Sequence, residues 1–340
     1  MPSSTLQRLR RSFLGWAGIA SGYDVRDLRA AVHTHEQQTA SALRQVTTRL
    51  DRLEHKIEAV LSQLEKVDGV LRRGRLRKVD DNVDALIRHT FLSQVLPQPQ
   101  ATLVRRFRGL SQNEEDGIAV ALFDRIGAPT RRFVEVGAGV NGGNSGFLAR
   151  ECGWSGVMLE IHPARVRALQ RRFGPAVTAV QARVTRENIN GLLSSHGAAG
   201  DIDLLSVDID GIDYWVWEGL SVCRPRLVIA EYNASFGATR SVTVPYDPEF
   251  NRRGFNVAKS AYYGASLLAL SRLGARKGYR LVVVEPRGVN AFFVREDLVG
   301  DLPALSPDRI ALGQELDDAW EPEDLFEALR VAGLPLVEID

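Results

Sequence analysis

The sequence predicts an α/β protein. A doubly wound, mostly parallel seven-stranded sheet ends in an antiparallel hairpin and follows an N-terminal α-helical coiled coil. Three observations lead to this prediction. Short apolar segments alternate with helical patterns after residue 110, and two further apolar segments follow each other closely near residue 290. Between residues 43 and 71, apolar residues recur in steps of three and four.

The parallel part of the sheet is predicted from five apolar segments that alternate with helical stretches, as βαβ units do. Helices fit between them, for example at residues 144–151 and 163–173. The strand segments are RFVEVGAG (132–139), GVMLEI (156–161), AVTAVQA (176–182), DLLSVDID (203–210) and RLVIAEYN (226–233).

The last two strands are predicted at YRLVVVE (279–285) and VNAFFVR (289–295), separated by the turn PRG. A parallel crossover needs about a dozen residues or more, so strands this close in sequence must be antiparallel. The sheet therefore ends in a hairpin.

The coiled coil is predicted from a heptad repeat that runs without a miss through Leu43, Val46, Leu50, Leu53, Ile57, Val60, Leu64, Val67 and Leu71. Such a stripe needs a partner helix. We expect a homo-oligomer, with Leu and Val in the alternating seam positions weakly favouring a trimer or tetramer. The alternative is a helical hairpin within one chain.

These patterns predict five segments. They are an amphipathic N-terminal segment (1–27), a coiled-coil oligomerisation helix (28–78), a helical linker (79–110), a catalytic-looking domain (111–296) and an acidic C-terminal extension (297–340). The first could make peripheral membrane contact, because Leu6, Leu9, Phe13 and Trp16 share one side of a possible helix. The alternative is a terminal helix that packs on its own protein.

Composition narrows the class of protein. The net charge of the 340 residues is +1, which argues against a dedicated nucleic-acid binder. The chain has two cysteines in no ligand spacing, which fits a reducing cytoplasm and no disulfide framework. No apolar run reaches the roughly 18–20 residues that span a bilayer. We therefore expect a cytoplasmic protein, membrane-associated at most through its N-terminus.

The first predicted strand runs into a glycine-rich loop, FVEVGAGVNGGNS (133–145). Glycines allow a ligand to approach the backbone closely, and this loop lies at the sheet edge where open α/β sheets bind ligands. Gly137, Gly139 and Gly142 spell GxGxxG, which is a weak dinucleotide signal by itself. Glu135 argues against a dinucleotide, because its carboxylate would repel the phosphate and dinucleotide folds usually have an apolar residue at this position. A carboxylate here suits a ligand with a cationic amino group.

The second strand ends in Glu160, whose carboxylate can accept hydrogen bonds from both hydroxyls of a ribose. An amino-acid end near Glu135 and a ribose near Glu160 describe S-adenosylmethionine (SAM). The spacing resembles motif I and the following acidic position of class I SAM-dependent methyltransferases. That resemblance covers about residues 111–296 and implies a sheet that ends in an antiparallel hairpin.

Within that superfamily the chain most resembles the FkbM-like group. The segments that carry the resemblance are SQNEEDGI (111–118), FVEVGAG (133–139), GWSGVMLE (153–160) and DLLSVDIDGIDYWVW (203–217). In the last segment Asp208, Asp210 and Asp213 hold the acidic positions of the family's fourth-strand motif. The resemblance implies O-methylation of a sugar, polyketide or other small hydroxylated molecule. The coiled coil and the acidic extension depart from it.

We predict that the cofactor is contacted by residues in and beside these motifs. They are Gln112, Glu135, Gly137, Gly139, Asn144, Ser145, Glu160, Ile161, Gln181, Ala182 and Asp208.

Acidic residues at the ends of the fourth and fifth strands are the predicted catalytic residues: Asp208, Asp210 and Glu231. Residues two apart face the same side of a strand, so Asp208 and Asp210, with Glu231 and Asn233, offer up to four oxygen ligands to Mg²⁺. The alternative is transfer without a metal, in which the aspartates position the methionine part of the cofactor. A base is then needed, from Asp210, Glu231 or residues 244–250.

A long polar and aromatic segment, residues 233–266, follows the fifth strand and is predicted to form a lid or binding surface. The predicted substrate contacts are Asn233, Tyr246, Lys259, Tyr262 and Tyr263. Arg252 and Arg253 are candidates for contact with a phosphate or sugar-nucleotide diphosphate.

The sequence therefore predicts a SAM-dependent O-methyltransferase that modifies a hydroxyl of a sugar, glycan or glycosylated small molecule, with Mg²⁺ as an optional helper. Two alternatives stay open. One is an inactive methyltransferase-like scaffold assembled by its coiled coil, and the other is an NAD-dependent oxidoreductase.

Overall fold

The structure is a computed structural model that describes residues 107–255, 261–307 and 321–340. The predicted N-terminal segment (1–27), the coiled coil (28–78) and all but the last four residues of the helical linker lie outside the described residues. They stay predictions, as does the oligomer that the heptad repeat implies.

The described residues form a seven-stranded sheet in the order β3-β2-β1-β4-β5-β8-β7. The first five strands pair in parallel, while β8 runs antiparallel to both β5 and β7. The prediction of a mostly parallel sheet that ends in an antiparallel hairpin is therefore confirmed. The strands of this sheet are β1 (Arg132–Val136), β2 (Ser155–Glu160), β3 (Val177–Gln181), β4 (Leu204–Val207), β5 (Leu227–Glu231), β7 (Tyr279–Val284) and β8 (Asn290–Arg295).

Helices connect the strands of the sheet, and they begin and end at residues that favour a helix terminus. Pro163 begins the third helix, where its missing N–H costs nothing. The sixth helix begins at the N-cap Ser266 and ends before Gly278, which adopts the left-handed conformation. The α-helices are α1 (Glu115–Ile126), α2 (Gly146–Glu151), α3 (Pro163–Phe173), α4 (Ile189–Ser195), α5 (Asp213–Gly219), α6 (Leu267–Lys277) and α7 (Pro322–Val331).

The central strands are apolar at successive positions because both faces of the sheet are covered. In β1, Phe133 packs in one hydrophobic cluster, while Val134 and Val136 pack in another. The same alternation holds for Ile229 and Ala230 in β5. Strands buried on both faces are typical of doubly wound folds, and the burial of this many apolar side chains is the main stabilising contribution.

A third hydrophobic cluster joins the segment after β5 to the C-terminal residues. A short strand, β6 (Val242–Thr243), pairs antiparallel with β9 (Val337–Glu338). Phe236 and Tyr262 pack there with Leu325 and Leu329 of α7. The described C-terminal residues therefore support the segment that the sequence predicts to be a lid.

Strand order reverses between β1 and β4, because β2 and β3 lie on one side of β1, and β4 and β5 on the other. Open α/β sheets bind ligands outside the carboxyl ends of the strands at such a point. At this point the residues that follow β1 and the residues that follow β4 pass very close together. A Cβ atom on Gly137 (φ 91°) would lie 1.6 Å from the backbone oxygen of Asp208.

Among the described residues, the structure contains no helix whose length and apolar character would allow it to cross a bilayer.

We expect Gly137→Ala to lower the free energy of unfolding by about 2–4 kcal/mol, because the added methyl group displaces the end of β4 and the positive φ is strained as well. Gly153→Ala is the matched control. Gly153 also has a positive φ (70°), but a Cβ atom there meets nothing within 4 Å, so about 1 kcal/mol is expected. Urea unfolding measures both variants, and equal losses would contradict the close approach of the two strands.

Candidate cofactor cleft and acidic edge

A cleft of about 380 Å³ opens at the carboxyl ends of β1, β2 and β4, where the strand order reverses. Residues from the segment after β5 cover it. This volume falls in the range of small-molecule sites, roughly 300–1,000 Å³. The lining residues that concern us are Gly137, Glu160, Ile161, His162, Arg165, Ala182, Arg183, Asp208, Asp210, Gly211, Phe250, Arg252 and Arg253.

Glu135 has a different place from the one predicted for it. Its side chain is fully buried, and its two oxygens accept hydrogen bonds from the backbone N–H groups of Asn144 (3.2 Å) and Ser145 (2.9 Å). A Cβ atom on Gly143 would lie 2.1 Å from this carboxylate, so the loop wraps tightly around it. Glu135 does not line the cleft. It holds the glycine loop rather than reaching a ligand, because the start of α2 offers N–H groups that need an acceptor.

Burial raises the pKa of Glu135 to about 7, although hydrogen bonds from Ser145 and Ser206 oppose the shift. A carboxyl group whose pKa is higher in the folded state is stabilising when protonated. Its contribution to stability is therefore complete below its ordinary pKa near 4.5 and declines as the pH rises through about 7.

Glu160 occupies the predicted position at the end of β2, with 3% of its surface exposed, and it lines the cleft. One oxygen accepts the N–H of Gly139 (2.9 Å) and the other accepts the N–H of His162 (2.9 Å). Arg165 lies 3.7 Å away. A carboxylate has about four lone-pair sites, so each oxygen keeps capacity for a ligand hydroxyl.

The loop after β4 is shaped by Asp213, the first residue of α5. Its oxygens accept the N–H groups of Ile209 (2.7 Å) and Gly211 (2.9 Å), and burial raises its pKa to about 6. Between them, Asp210 adopts a left-handed conformation (φ 57°) and is exposed to solvent. The loop therefore directs Asp208 and Asp210 into the cleft, where both line its wall.

Asp208 and Glu231 form an electrostatically coupled pair at this edge. Burial is the main cause that raises the pKa of Glu231 well above its ordinary value, and the charge of Asp208 adds to it. Burial likewise raises the pKa of Asp208, with contributions from Asp213 and Asp210. Glu231 is 6% exposed, and its Oε2 has no hydrogen-bond partner. Each of these carboxyl groups therefore keeps its proton to a higher pH than an isolated carboxyl group does.

Arg252 connects the covering segment to the acidic edge. Its guanidinium pairs with Asp210 and lies 4.0 Å above the ring of Tyr263. Burial raises the pKa of Tyr263, and Glu231 adds to the shift. Tyr263 is therefore a neighbour of the acidic pair, as its predicted substrate role requires.

The structure brings some predicted cofactor residues together and not others. Gly137, Glu160, Ile161, Ala182 and Asp208 line the cleft. The other predicted contacts are not among its lining residues: Gln112, Glu135, Gly139, Asn144, Ser145 and Gln181. Gly139 takes part only through its N–H bond to Glu160, and Asn144 donates its amide to Ser206 at 3.1 Å.

Three predicted substrate contacts have other partners. The amide of Asn233 donates to the carbonyl oxygens of Ala261 (2.7 Å) and Tyr263 (3.0 Å), and its oxygen accepts the N–H of Ser235 (3.1 Å). Tyr262 is buried and donates to the carbonyl oxygen of Pro335 (2.7 Å). Tyr246 is hydrogen-bonded to Glu187 outside the cleft. Lys259 lies outside the described residues.

The described side chains do not favour the predicted magnesium site. The side-chain oxygen of Asn233 is already an acceptor, and Arg252 puts a positive charge on Asp210 where a cation would have to bind. Within the part of the chain that the structure describes, no group of three or more acidic, histidine or cysteine side chains could hold a metal ion. Asp208 and Glu231 remain as a coupled pair.

Several cleft residues were missed by the sequence reasoning. Arg165 and Arg183 lie within a few residues of predicted cofactor contacts in the sequence, but an arginine at such a position does not by itself indicate a binding site. Phe250 enters the cleft because it packs over Gly211, where a Cβ atom would lie 2.6 Å from its ring. Its place depends on the path of the segment after β5, which no local pattern encodes.

No family model matches the chain, and no curated protein matches it. Solved structures that resemble it in part include SAM-dependent methyltransferases. A TehB-like SAM-dependent methyltransferase from Corynebacterium glutamicum is 12% identical with a TM-score of 0.32, covering 51% of this chain and 85% of the other. An O-methyltransferase from Bacillus cereus in complex with S-adenosylhomocysteine (SAH) is 14% identical with a TM-score of 0.34, covering 68% and 97%. TYW2 from M. jannaschii in complex with AdoMet is 14% identical with a TM-score of 0.29, covering 48% and 68%.

We expect Glu135→Ala to lower the free energy of unfolding by about 2–4 kcal/mol, because two buried N–H groups lose their acceptor and a cavity forms. Glu323→Ala, which removes an exposed carboxylate in α7, should change it by less than about 0.5 kcal/mol. Urea unfolding measures both. A Glu135→Ala protein of unchanged stability that no longer binds SAH would return Glu135 to the role of a ligand contact.

Proposed function

We propose that this protein is a SAM-dependent O-methyltransferase that acts on a hydroxyl group of a sugar, glycan or glycosylated small molecule. One observation carries the proposal. The cleft at the strand-order reversal is lined by Glu160 at the end of β2 and by Asp208 and Asp210 after β4, and the charge of Asp208 acts on the buried Glu231. Such a cleft can hold a nucleoside by its ribose and accept a proton beside it.

The residues present fit the cofactor. Glu160 has free acceptor capacity for ribose hydroxyls, and Ile161 and Ala182 offer apolar surface beside it. Gly137 lines the cleft, and the lack of a side chain there lets the backbone of Asp208 lie against it. In this proposal the cationic methionine end lies near Asp208, since the carboxylate of Glu135 is held by the loop. When bound, SAM supplies a methyl group on a sulfonium centre.

The acidic pair would take the proton that the acceptor loses. Asp208, which lines the cleft, would accept the hydroxyl proton as the acceptor oxygen takes the methyl group from the sulfonium sulfur. The charges of Asp208 and Glu231 interact, and a negative neighbour raises the proton affinity of a carboxylate. Arg252, held on Asp210 and Tyr263, would keep this wall in place.

Magnesium is not part of the proposed mechanism. Its predicted ligand Asn233 is used by the backbone, and Arg252 already neutralises Asp210. Positioning the two reactants can supply much of the rate of methyl transfer from a sulfonium, so a metal is not required by the chemistry.

The oxidoreductase alternative is disfavoured by a specific contact. Dinucleotides bind their pyrophosphate at the N-terminus of the helix after β1. Here the N–H of Ser145, at the start of α2, is already bonded to the carboxylate of Glu135, as is that of Asn144. A phosphate would have to displace a buried acid. The scaffold alternative is tested by the SAM-binding and methyl-transfer measurements below.

The sugar acceptor rests on the resemblance of the sequence motifs to the FkbM-like group. Oligomerisation through residues 28–78 is likewise proposed from the heptad repeat alone.

We expect Glu160→Ala to weaken SAM binding about 10- to 100-fold, because a charged acceptor for the ribose hydroxyls is lost. Isothermal titration of the full chain with SAM measures the affinity, and Glu323→Ala serves as a control outside the cleft. Titration with NAD distinguishes the hypothesis that the cofactor is SAM from the hypothesis that it is NAD. Micromolar NAD affinity without SAM affinity would end the methyltransferase proposal, and unchanged SAM affinity in Glu160→Ala would remove the ribose assignment.

The acidic pair predicts a pH-dependent rate. The raised pKa values mean that methyl transfer should increase as the pH rises and the pair loses its proton. We expect Glu231→Gln to move the midpoint of the pH–rate profile downward, because one of the two interacting carboxyl groups is removed and a negative neighbour raises the pKa of a carboxyl group. Transfer of labelled methyl groups from SAM to a glycan extract, measured between about pH 5 and 9, follows this midpoint. An unshifted profile would exclude the pair as the proton acceptor.

A further inference from the structure

Four arginines line the cleft: Arg165, Arg183, Arg252 and Arg253. The acidic lining residues are fewer, namely Glu160, Asp208 and Asp210. A small-molecule cleft usually contains only a few charged side chains, and each of them favours ligands with a complementary group. The arginines are more numerous than the cofactor needs.

Two of the four arginines have strong partners. Arg165 lies 3.7 Å from Glu160, and Arg252 pairs with Asp210 beneath the segment that covers the cleft. These two cations balance two of the acidic lining residues. They therefore leave little positive charge for a further ligand.

The other two arginines are poorly neutralised. Arg183 lies 3.6 Å from Glu249, but their side chains are 42% and 76% exposed, so water screens the pair. Arg253 has no carboxylate at ion-pair distance within the described residues. Both guanidinium groups can therefore accept a new anionic partner at low cost.

The backbone that carries Arg253 is fixed. Asn251 caps the short helix Arg252–Gly254 by accepting the N–H of Arg253 at 3.1 Å, and Arg252 anchors the same turn on Asp210 and Tyr263. Only the side chain of Arg253 has to be ordered when a ligand binds. This preparation favours binding over an arginine on a free loop.

From this distribution of charge we infer that the methyl acceptor carries a phosphate or diphosphate group, bound by Arg253 and Arg183, with its reacting hydroxyl at the acidic pair. The inference rests on the proposed function and names the class of its substrate. A guanidinium binds phosphate through two parallel hydrogen bonds. The sulfonium adds another positive charge to the cleft, so an anionic acceptor complements the loaded protein better than a neutral sugar does.

The probe for this site is inorganic pyrophosphate, titrated calorimetrically into the full chain saturated with SAH. Saturation keeps pyrophosphate out of the cofactor subsite. We expect Arg253→Gln and Arg183→Gln each to weaken pyrophosphate binding at least about 10-fold, while SAH affinity changes less than about 2-fold. Arg167→Gln is the matched control, because Arg167 is an exposed arginine of α3 outside the cleft.

Several outcomes would overturn the inference: no pyrophosphate binding to the SAH-loaded wild type, equal loss in the Arg167→Gln control, or binding that malonate matches, which would point to a carboxylate ligand. The two proposals fail separately. A protein that does not bind SAH or SAM, but binds pyrophosphate through Arg253, refutes the methyltransferase and keeps the anion site. A protein that binds SAH, but shows no pyrophosphate binding that depends on Arg253, refutes the anion site and keeps the methyltransferase proposal.

Discussion

Buried carboxylates that accept pairs of backbone N–H groups hold the loops at the carboxyl edge of the sheet. Glu135 fixes the glycine loop, Glu160 joins that loop to the start of α3, and Asp213 closes the turn after β4. Asp116 does the same for the backbone of residues 109–111. Loops at a ligand edge have donors that no strand or helix satisfies, and a charged acceptor stabilises them more than a neutral one. The cleft exists because these loops are held apart.

This constraint separates structural from functional acids. Glu135 and Asp213 are buried but satisfied by the backbone, so their raised pKa values of about 7 and about 6 reflect desolvation. Glu231 is buried with an unpartnered oxygen, and its neighbour Asp208 faces the cleft. An unsatisfied buried carboxyl group costs free energy. Asp116 also has an unpartnered oxygen, but among the described residues only Glu231 combines that feature with a charge interaction with a residue that lines the cleft. The acidic pair is therefore the part of the edge best suited to chemistry.

The segment after β5 completes the site from the opposite side. Its core is supported by α7 and β9, which pack against Phe236, Val242 and Tyr262. Its outer part carries Phe250 and the arginines over the cleft. The described C-terminal residues therefore support the site, and none of them lines the cleft. A cleft lined by both acidic and basic side chains, as found here, can orient a ligand that has different groups at its two ends.

The sequence by itself determined the strands, their mostly parallel direction and the final hairpin, because apolar period and connection length encode these features directly. It also located Glu160 and Asp208, which follow strand ends.

The sequence could not distinguish Glu160 from Glu135, two acids at the ends of neighbouring strands. Only the tertiary structure decided which one faces the cleft, because glycines with positive φ fold the loop back so that its N–H groups meet Glu135. Likewise the use of Asn233 by Ala261 and Tyr263, and the ion pair of Arg252 with Asp210, join residues about 30 and 40 positions apart. Such contacts depend on the path of the whole chain, which local patterns do not contain.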